Sequence, residues 1–450
     1  MVVEGWLHRA ARTHPGASAI EGPEGTSSSC SYAELHDAAR RGARALSARG
    51  AKRGDRVAIA LPPGLRFAEA LHACLLLGVV AVPVDLRLAD AERAHICDGA
   101  AVVVSETLNG APGAGAQPDF ALDEHHDLDA VAAIIHTSGT TSKPRPIELS
   151  YGNFLWSALG SAVALDRDPR ERWLCALPVS HIGGLSILIR SAIYATTAVI
   201  HERFDTDLVL RALRAQDVTL VSLVSTTLAR LLDAGLERPL ALRYALTGGG
   251  PVPDALVQRA RDAGVRVSPT YGLTEACSQV TTGGPPLFCT RVRIDGADGA
   301  SERRATTATR VGEILVSGPT VAPGSRDPDG WLHTGDLGSL DERGFLQVTG
   351  RVADTIVSGG ENVAPAEVEA VLESHPDVLE AAVLGRPDST WGEAVVAIVV
   401  PRPSAAVDRE TLRAYCAERL ARYKVPKQLD IATTPLPRTT SGKLLRRNLS

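Results

Sequence analysis

Thr137 to Arg145 reads Thr-Ser-Gly-Thr-Thr-Ser-Lys-Pro-Arg, which places five hydroxyls, one glycine and two cations in nine residues. The hydroxyls of Thr137, Ser138, Thr140 and Thr141 can donate, Gly139 lets backbone N–H groups come close, and Lys143 and Arg145 add charge. Such a loop suits a polyphosphate held in a nest better than an apolar ligand. It is not a G-x-x-x-x-G-K-[ST] loop, which the sequence lacks. By composition alone it reads equally well as a Ser/Thr-rich surface turn. Tyr271-Gly272-Leu-Thr274-Glu275 sets a ring, a glycine, a hydroxyl and a carboxylate within five residues. His181 stands in the turn Pro178-Val-Ser-His-Ile-Gly-Gly184, although a lone histidine is more often structural. Only five of the 47 cations are lysine, and Lys424, Lys427 and Lys443 fall within the last thirty residues. The polar Gly-Lys stretch around Lys443 reads on its own as an ordinary chain end.

The elements that must position these groups alternate between strand and helix. Residues 32 to 50 carry helical periodicity, with Ser31 and Glu34 as a capping box. Strand 56–61, helix 67–77 and strand 79–84 form a βαβ unit and predict a mostly parallel sheet. Residues 109–118 read as a loop, and 131–135 as the strand that leads into the hydroxyl run. Helix 150–164, strand 173–177 and helix 185–195 follow, the last with Arg190 inside it. Strand 219–224 and helix 225–234 come next, the helix carrying Thr226 and Arg230. Strand 244–247 runs into Gly248-Gly249-Gly250-Pro251, and strand 265–268 into the Tyr271 motif. From about 291 to 350 the pattern turns to short strands. The remaining residues suit a small α+β domain, with helices 363–373 and 409–420 and strands 378–384 and 395–400.

A chain of 450 residues exceeds one ordinary core, so two or three domains are expected. A net charge of -5 without runs of like charge gives no excess for nucleic acid. Seven cysteines (30, 74, 97, 175, 277, 289 and 416) form no C-x-x-C pair. That argues against a disulfide frame or zinc site and for a reducing cytoplasm. The longest apolar run, 73–84, is interrupted and too short for a bilayer, and no export signal is present, so neither membrane nor nucleic acid is an expected partner. The sequence is compatible with a homodimer.

These stretches, in this order from about Tyr32 to Arg447, resemble the adenylate-forming superfamily of acyl-CoA synthetases, nonribosomal adenylation domains and luciferases. Eight motifs carry the likeness: Thr137–Thr141, Pro178–Gly184, Gly248–Pro251, Tyr271–Glu275, Thr334–Asp336, Gly350-Arg351, Ser358–Asn362 and Pro437–Lys443. The resemblance implies an α/β fold with a large N-terminal domain over 1–350, whose β-rich subdomain covers about 291–350. A hinge at 351–354 and a small mobile α+β domain at 355–450 complete it. It also implies ATP, Mg²⁺ and CoA, and two half-reactions. A carboxylate first attacks the α-phosphate of ATP to give an acyl-adenylate and pyrophosphate; after the small domain rotates, a thiol attacks the acyl carbon.

By the same resemblance, Thr137 to Thr141 with Lys143 hold the β- and γ-phosphates. Thr274 and Glu275 hold the α-phosphate and Mg²⁺. Gly248, Gly249, Gly250, Pro251, Tyr271 and Gly272 wall the adenine. Asp336 takes the ribose hydroxyls, supported by Arg351, and Lys443 bridges the carboxylate and the α-phosphate. Gly359 and Gly360 line the pantetheine tunnel, while His181 serves catalysis and the acid. Ser142, Arg145 and Pro146 depart from the usual Gly, Lys and Gly, which implies a stiffer loop with an altered cation. Ala353 replaces the polar residue common at the hinge, and 324–329 is shorter than usual.

Within the superfamily, His181 to Ser191 with Ser278-Gln279 looks most like the o-succinylbenzoate–CoA ligases of menaquinone biosynthesis. Their acid is an aromatic dicarboxylate with one idle carboxylate, and an unpaired buried charge is costly. Arg230, assisted by Thr226 or Thr227, is the expected partner because it follows strand 219–224; Arg190 is second. An ordinary exposed arginine is the competing reading for Arg230. An aryl- or fatty-acid–CoA ligase, a carrier-loading adenylation enzyme and a non-catalytic nucleotide binder are the alternatives.

Overall fold

The computed structural model describes residues 1–24, 26, 28–108, 122, 124–137, 145–295, 311–358, 361–403, 405, 407–438 and 444–449. The chain gathers into two compact units. The first holds Met1–Gly248, Gln258–Arg291 and Val316–Leu332, and the second Gly249–Val257, Val292–Leu315 and His333–Ser450.

The first unit is α/β, as the alternation predicts. One of its sheets runs in the order Val102–Val104, Arg56–Ile59, Val80–Pro83, Val131–Thr137, Arg145–Ser150, with the last strand antiparallel at the edge. A second sheet has eight strands in the order Ser278–Thr282, Val267–Leu273, Tyr244–Thr247, Leu220–Leu223, Arg172–Cys175, Thr197–Ile200, Ser18–Glu21, Cys30–Ser31. Its six inner strands are parallel and both edges antiparallel.

Side chains from both sheets meet in one core with three helices, Tyr32–Ala48, Leu65–Leu77 and Ile182–Tyr194. The first is amphipathic and starts at the predicted capping box, where the Ser31 hydroxyl accepts from the Glu34 N–H and the Glu34 carboxylate from the Ser31 N–H. The other two are buried nearly all round, so their sequences read as continuous apolar runs. Tyr32 ties its helix to the end of helix Ile182–Tyr194 and the chain just beyond, donating toward Ser191 O at 2.7 Å and Thr196 O at 2.6 Å.

Helices Trp6–Thr13 and Asp90–Cys97 lie where no helix is predicted. Each is only eight residues, too short for periodicity to stand out. Strand Val267–Leu273 runs five residues beyond its predicted end at Ser268 and takes in Tyr271, Gly272 and Leu273 of the motif. Cross-strand pairing with Ser278–Thr282 extends it there despite Pro269 and Gly272. Residues 109–118 lie outside those described.

In the second unit, Ile356–Ser358, Glu361–Val363, Val378–Asp388, Gly392–Pro401 and Gln428–Ile431 form a five-stranded sheet. Helices Pro365–Glu373 and Arg409–Ala417 contribute Val368, Leu372, Leu412 and Cys416 to its core. A separate four-stranded sheet is made by Arg291–Ile294, Gly312–Ser317, Leu332–Leu340 and Leu346–Arg351.

Candidate active site

In the first unit the chemistry-bearing residues gather beyond strand ends. Thr137 closes strand Val131–Thr137, pairs with Arg145 and donates from its hydroxyl to Arg145 O at 3.3 Å. The hydroxyl loop between them, Ser138, Gly139, Thr140, Thr141, Ser142 and Lys143, lies outside the described residues. Arg145 and Pro146 are not loop residues; they begin the edge strand Arg145–Ser150. An edge strand tolerates proline because one of its sides has no ladder to break.

The Tyr271 motif is built by a bulged hairpin. The register shifts between Tyr271 and Gly272, and Thr274–Ala276 forms a single 3₁₀ turn carrying the Glu275 carboxylate. Glycine is required at 272, because a Cβ there would stand 1.7 Å from Ser278 O. Gly248 is equally constrained, since its Cβ would meet Thr270 O at 2.6 Å. The turn ends with Cys277 at φ 51° and Ser278 at φ 90°, left-handed values that non-glycine residues rarely adopt. Glu275 is half-buried, and among the described residues its carboxylate has no protein hydrogen-bond partner. No cluster of three His, Cys, Asp or Glu side chains suited to a metal occurs among those residues. A lone carboxylate fits Mg²⁺ carried largely by phosphate oxygens and water.

His181 occupies the N-cap of helix Ile182–Tyr194, with Nε2 3.6 Å from the Asp85 carboxylate. Asp85 follows strand Val80–Pro83, is 7% exposed, and accepts from the Arg87 side chain at 2.8 and 2.6 Å. Burial opposes its charge, but the Arg87 hydrogen bonds outweigh burial and hold the carboxyl below the usual range. One turn into the helix, the Ser186 and Ser278 hydroxyls lie 3.5 Å apart. A further turn on comes Arg190, 3% exposed. Its Nη2 donates to Ser157 Oγ at 2.8 Å, its guanidinium lies 5.6 Å from the Trp173 ring centre, and its Nε has no partner. No carboxylate pairs with it among the described residues. Burial lowers its pKa accordingly.

Arg230, the first choice for the idle carboxylate, is exposed and sits in the last turn of helix Ser225–Asp233, with Thr226 also exposed. That helix is amphipathic, burying Leu228, Leu231 and Leu232 and turning Arg230 to solvent. Asp85, Arg87, Ser157 and Ser186 are functional candidates that the sequence reading missed. The signals were present: a charged pair right after a strand, and a polar stripe Asn153, Ser157, Ser161 at i, i+4 inside an apolar helix.

In the second unit Asp336 and Arg351 face each other across the pair Leu332–Leu340 and Leu346–Arg351 and form an ion pair, with Arg351 Nε 2.9 Å from Asp336 Oδ1. Asp336 is 7% exposed. Its N–H donates to Thr334 Oγ1 at 3.1 Å, Thr334 donates to Ile314 O at 2.7 Å, and the Gly335 N–H reaches Glu313 at 2.9 Å. Gly249, at φ 78°, begins the unit's segment Gly249–Val257 with Gly250 and Pro251. Near the chain end Arg446 holds Asp354 at 2.9 Å and both Glu369 oxygens at 2.8 Å. Arg438 and Leu444 bridge antiparallel, bracketing the segment that carries Lys443. Lys443, Gly359 and Gly360 lie outside the described residues.

With this fold and these motifs, the chain belongs to the AMP-binding enzyme family, whose main domain matches residues 7–111 and 103–325 and whose C-terminal domain matches 367–443. Its likeness is more particular than the family. The chain is 39% identical to a 2-succinylbenzoate–CoA ligase of Bacillus licheniformis, across 99% of this chain and 98% of that protein. It also superposes on the o-succinylbenzoate CoA synthetase of Bacillus subtilis in complex with the acyl-adenylate intermediate OSB-AMP, with a TM-score of 0.89 and 36% identity, covering 100% of this chain and 98% of that one. The same synthetase with ATP and magnesium ion gives a TM-score of 0.88, again at 36% identity, covering 100% of both chains.

Proposed function

We propose that this protein is an ATP-dependent acid–thiol ligase that converts 2-succinylbenzoate to its CoA thioester in the cytoplasm, a step of menaquinone synthesis. The observation that carries the dicarboxylate is Arg190, a buried cation without a counterion among the described residues, two turns along the helix that His181 caps. A buried unpaired charge destabilises the free protein and is compensated when an anion arrives. A monocarboxylate would leave it uncompensated, which argues against benzoate or a fatty acid as the acid. Arg190 therefore replaces Arg230 as the partner of the idle carboxylate.

In this reading the succinyl carboxylate oxygen bonds to the α-phosphorus of ATP as the bond to pyrophosphate breaks. A CoA thiolate then bonds to the acyl carbon as the bond to AMP breaks. Glu275 would hold Mg²⁺, which would supply positive charge against that of the departing pyrophosphate. Lys443 bridges carboxylate and α-phosphate, supplying positive charge where negative charge develops. Thr274 binds the α-phosphate. Thr137 to Thr141 and Lys143 take the outer phosphates, and Gly248 to Pro251, Tyr271 and Gly272 the adenine. Asp336, oriented by Arg351 and Thr334, takes the ribose. Gly359 and Gly360 line the thiol's path, and His181 with Ser278 flanks the acid. Residues 1–350, a hinge at 351–354 and 355–450 serve as the working domains.

The test is acid-dependent release of pyrophosphate with 2-succinylbenzoate, benzoate, 4-chlorobenzoate and octanoate, each with and without CoA. Strong preference for 2-succinylbenzoate with thioester formation is expected. Preference for a monocarboxylate would discard the assigned acid and keep the ligase, and silence with every acid would leave only a nucleotide binder.

A further inference from the structure

Ser157 lies at the meeting point of three elements and has one proton to give. Its Oγ donates to Cys277 O at 2.6 Å and accepts from Arg190 Nη2 at 2.8 Å, so a single hydroxyl joins helix Tyr151–Leu165, helix Ile182–Tyr194 and the hairpin that carries Thr274 and Glu275. All of this is out of water: Ser157 is 1% exposed and Cys277 fully buried. Because the Ser157 proton is committed to the carbonyl, its lone pairs are left for the guanidinium, which fixes the direction of the chain of bonds. Linked bonds of this kind strengthen one another in a low-dielectric interior.

Two features set this apart from a routine buried serine. The carbonyl it holds belongs to Cys277, at φ 51°, followed by Ser278 at φ 90°, a backbone that neighbours must hold in place. The guanidinium it holds has no other hydrogen-bond partner among the described residues, so Ser157 is the hydrogen bond that, beside the Trp173 ring, sets the rotation of its remaining N–H donors. Arg190 and Ser186 are one helical turn apart on one face, and Ser186 reaches Ser278. The two ties from this helix thus converge on adjacent residues of the turn.

We infer that Ser157 is a positioning residue for acid selection: it aims the Arg190 guanidinium at the second carboxylate of the substrate and locks that aim to the Cys277–Ser278 turn. The inference rests on the proposed role of Arg190 and goes beyond it by naming what orients the cation. Ser157 touches no substrate and acts only through Arg190 and the turn.

The test compares 2-succinylbenzoate with 4-oxo-4-phenylbutanoate, the same chain without the ring carboxylate, in steady-state kinetics of the full-length enzyme. Ser157→Ala should raise the KM for 2-succinylbenzoate about tenfold, as expected for a lost bond to a charged group. The KM for ATP and for 4-oxo-4-phenylbutanoate should stay within about twofold. In an Arg190→Gln background, Ser157→Ala should change acid selectivity no further. If Ser157→Ala fails to fold, Ser157→Cys fills the site with a slightly larger, weaker donor and should shift selectivity the same way. Equal losses on both acids would reduce Ser157 to a structural role and overturn the inference. So would an unchanged KM for 2-succinylbenzoate in Ser157→Ala alongside a raised one in Arg190→Gln. If Arg190→Gln leaves that KM unchanged, the reading of Arg190 itself fails, a result distinguishable from the others.

Discussion

Asp336 shows how much of a site one residue can concentrate. It is nearly buried, it is ion-paired with Arg351 on the facing strand, and its backbone N–H is held by the Thr334 hydroxyl. Removing its carboxylate should cost the hydrogen bonds to a ribose and leave the acid side alone. Asp336→Ala is expected to raise the KM for ATP about tenfold or more, with the KM for the acid within about twofold, in pyrophosphate-release kinetics. Equal effects on both substrates would remove Asp336 from the nucleotide. The residue types are legible in the sequence, since a carboxylate and an arginine on successive strands suit a diol. Their register, Asp336 opposite Arg351, is not, because pairing depends on where the intervening turn falls.

At the scale of elements, the bulged hairpin of Val267–Leu273 and Ser278–Thr282 governs where Thr274 and Glu275 stand. Its geometry depends on the absence of a side chain at 272. Gly272→Ala would drive a methyl into Ser278 O, against a carbonyl whose backbone has no slack. The hairpin must then open, at a cost of about 1–3 kcal/mol. A melting temperature lower by a few degrees is expected, together with a kcat reduced on every acid. Unchanged activity would mean that the hairpin is not what positions the carboxylate. The sequence predicted the strand to end before this motif, because Pro269 and Gly272 read as breakers. Cross-strand pairing overrode that local signal, and no local rule contains it.

For the whole molecule, burial sets a pH limit. His72 and His126 lie in the core beside Trp6; the His126 ring stacks 4.4 Å from Tyr151 and accepts at Nε2 from the Trp6 backbone N–H. Burial pushes both pKa values down to about 4. Between that value and the ordinary histidine range, the unfolded chain binds protons that the folded chain refuses. The part of stability that rests on these two neutral rings is therefore intact at neutral pH and falls as pH drops from about 6.5 towards 4, while Glu171 and Glu373, pushed up to about 7 by burial, act in the opposite sense. Thermal melts across this window should therefore show a smaller loss of melting temperature on acidification in His72→Met than in the unaltered protein; identical pH profiles for the two would contradict the account. The sequence by itself determined the alternation of strand and helix, the order of the motifs and the class of chemistry, because these follow from local periodicity and from which side chains can donate, accept or carry charge. Tertiary structure decided which arginine is buried and which is exposed. Helix Ile182–Tyr194 buries 11 of its 13 residues, so its pattern gives no sign that Arg190 lacks a counterion among the described residues. Helix Ser225–Asp233 is amphipathic, and only its packing turned Arg230 outward. Whether an arginine is a solvated surface charge or an uncompensated interior one depends on what the other elements bring to it, and that is fixed only when they pack.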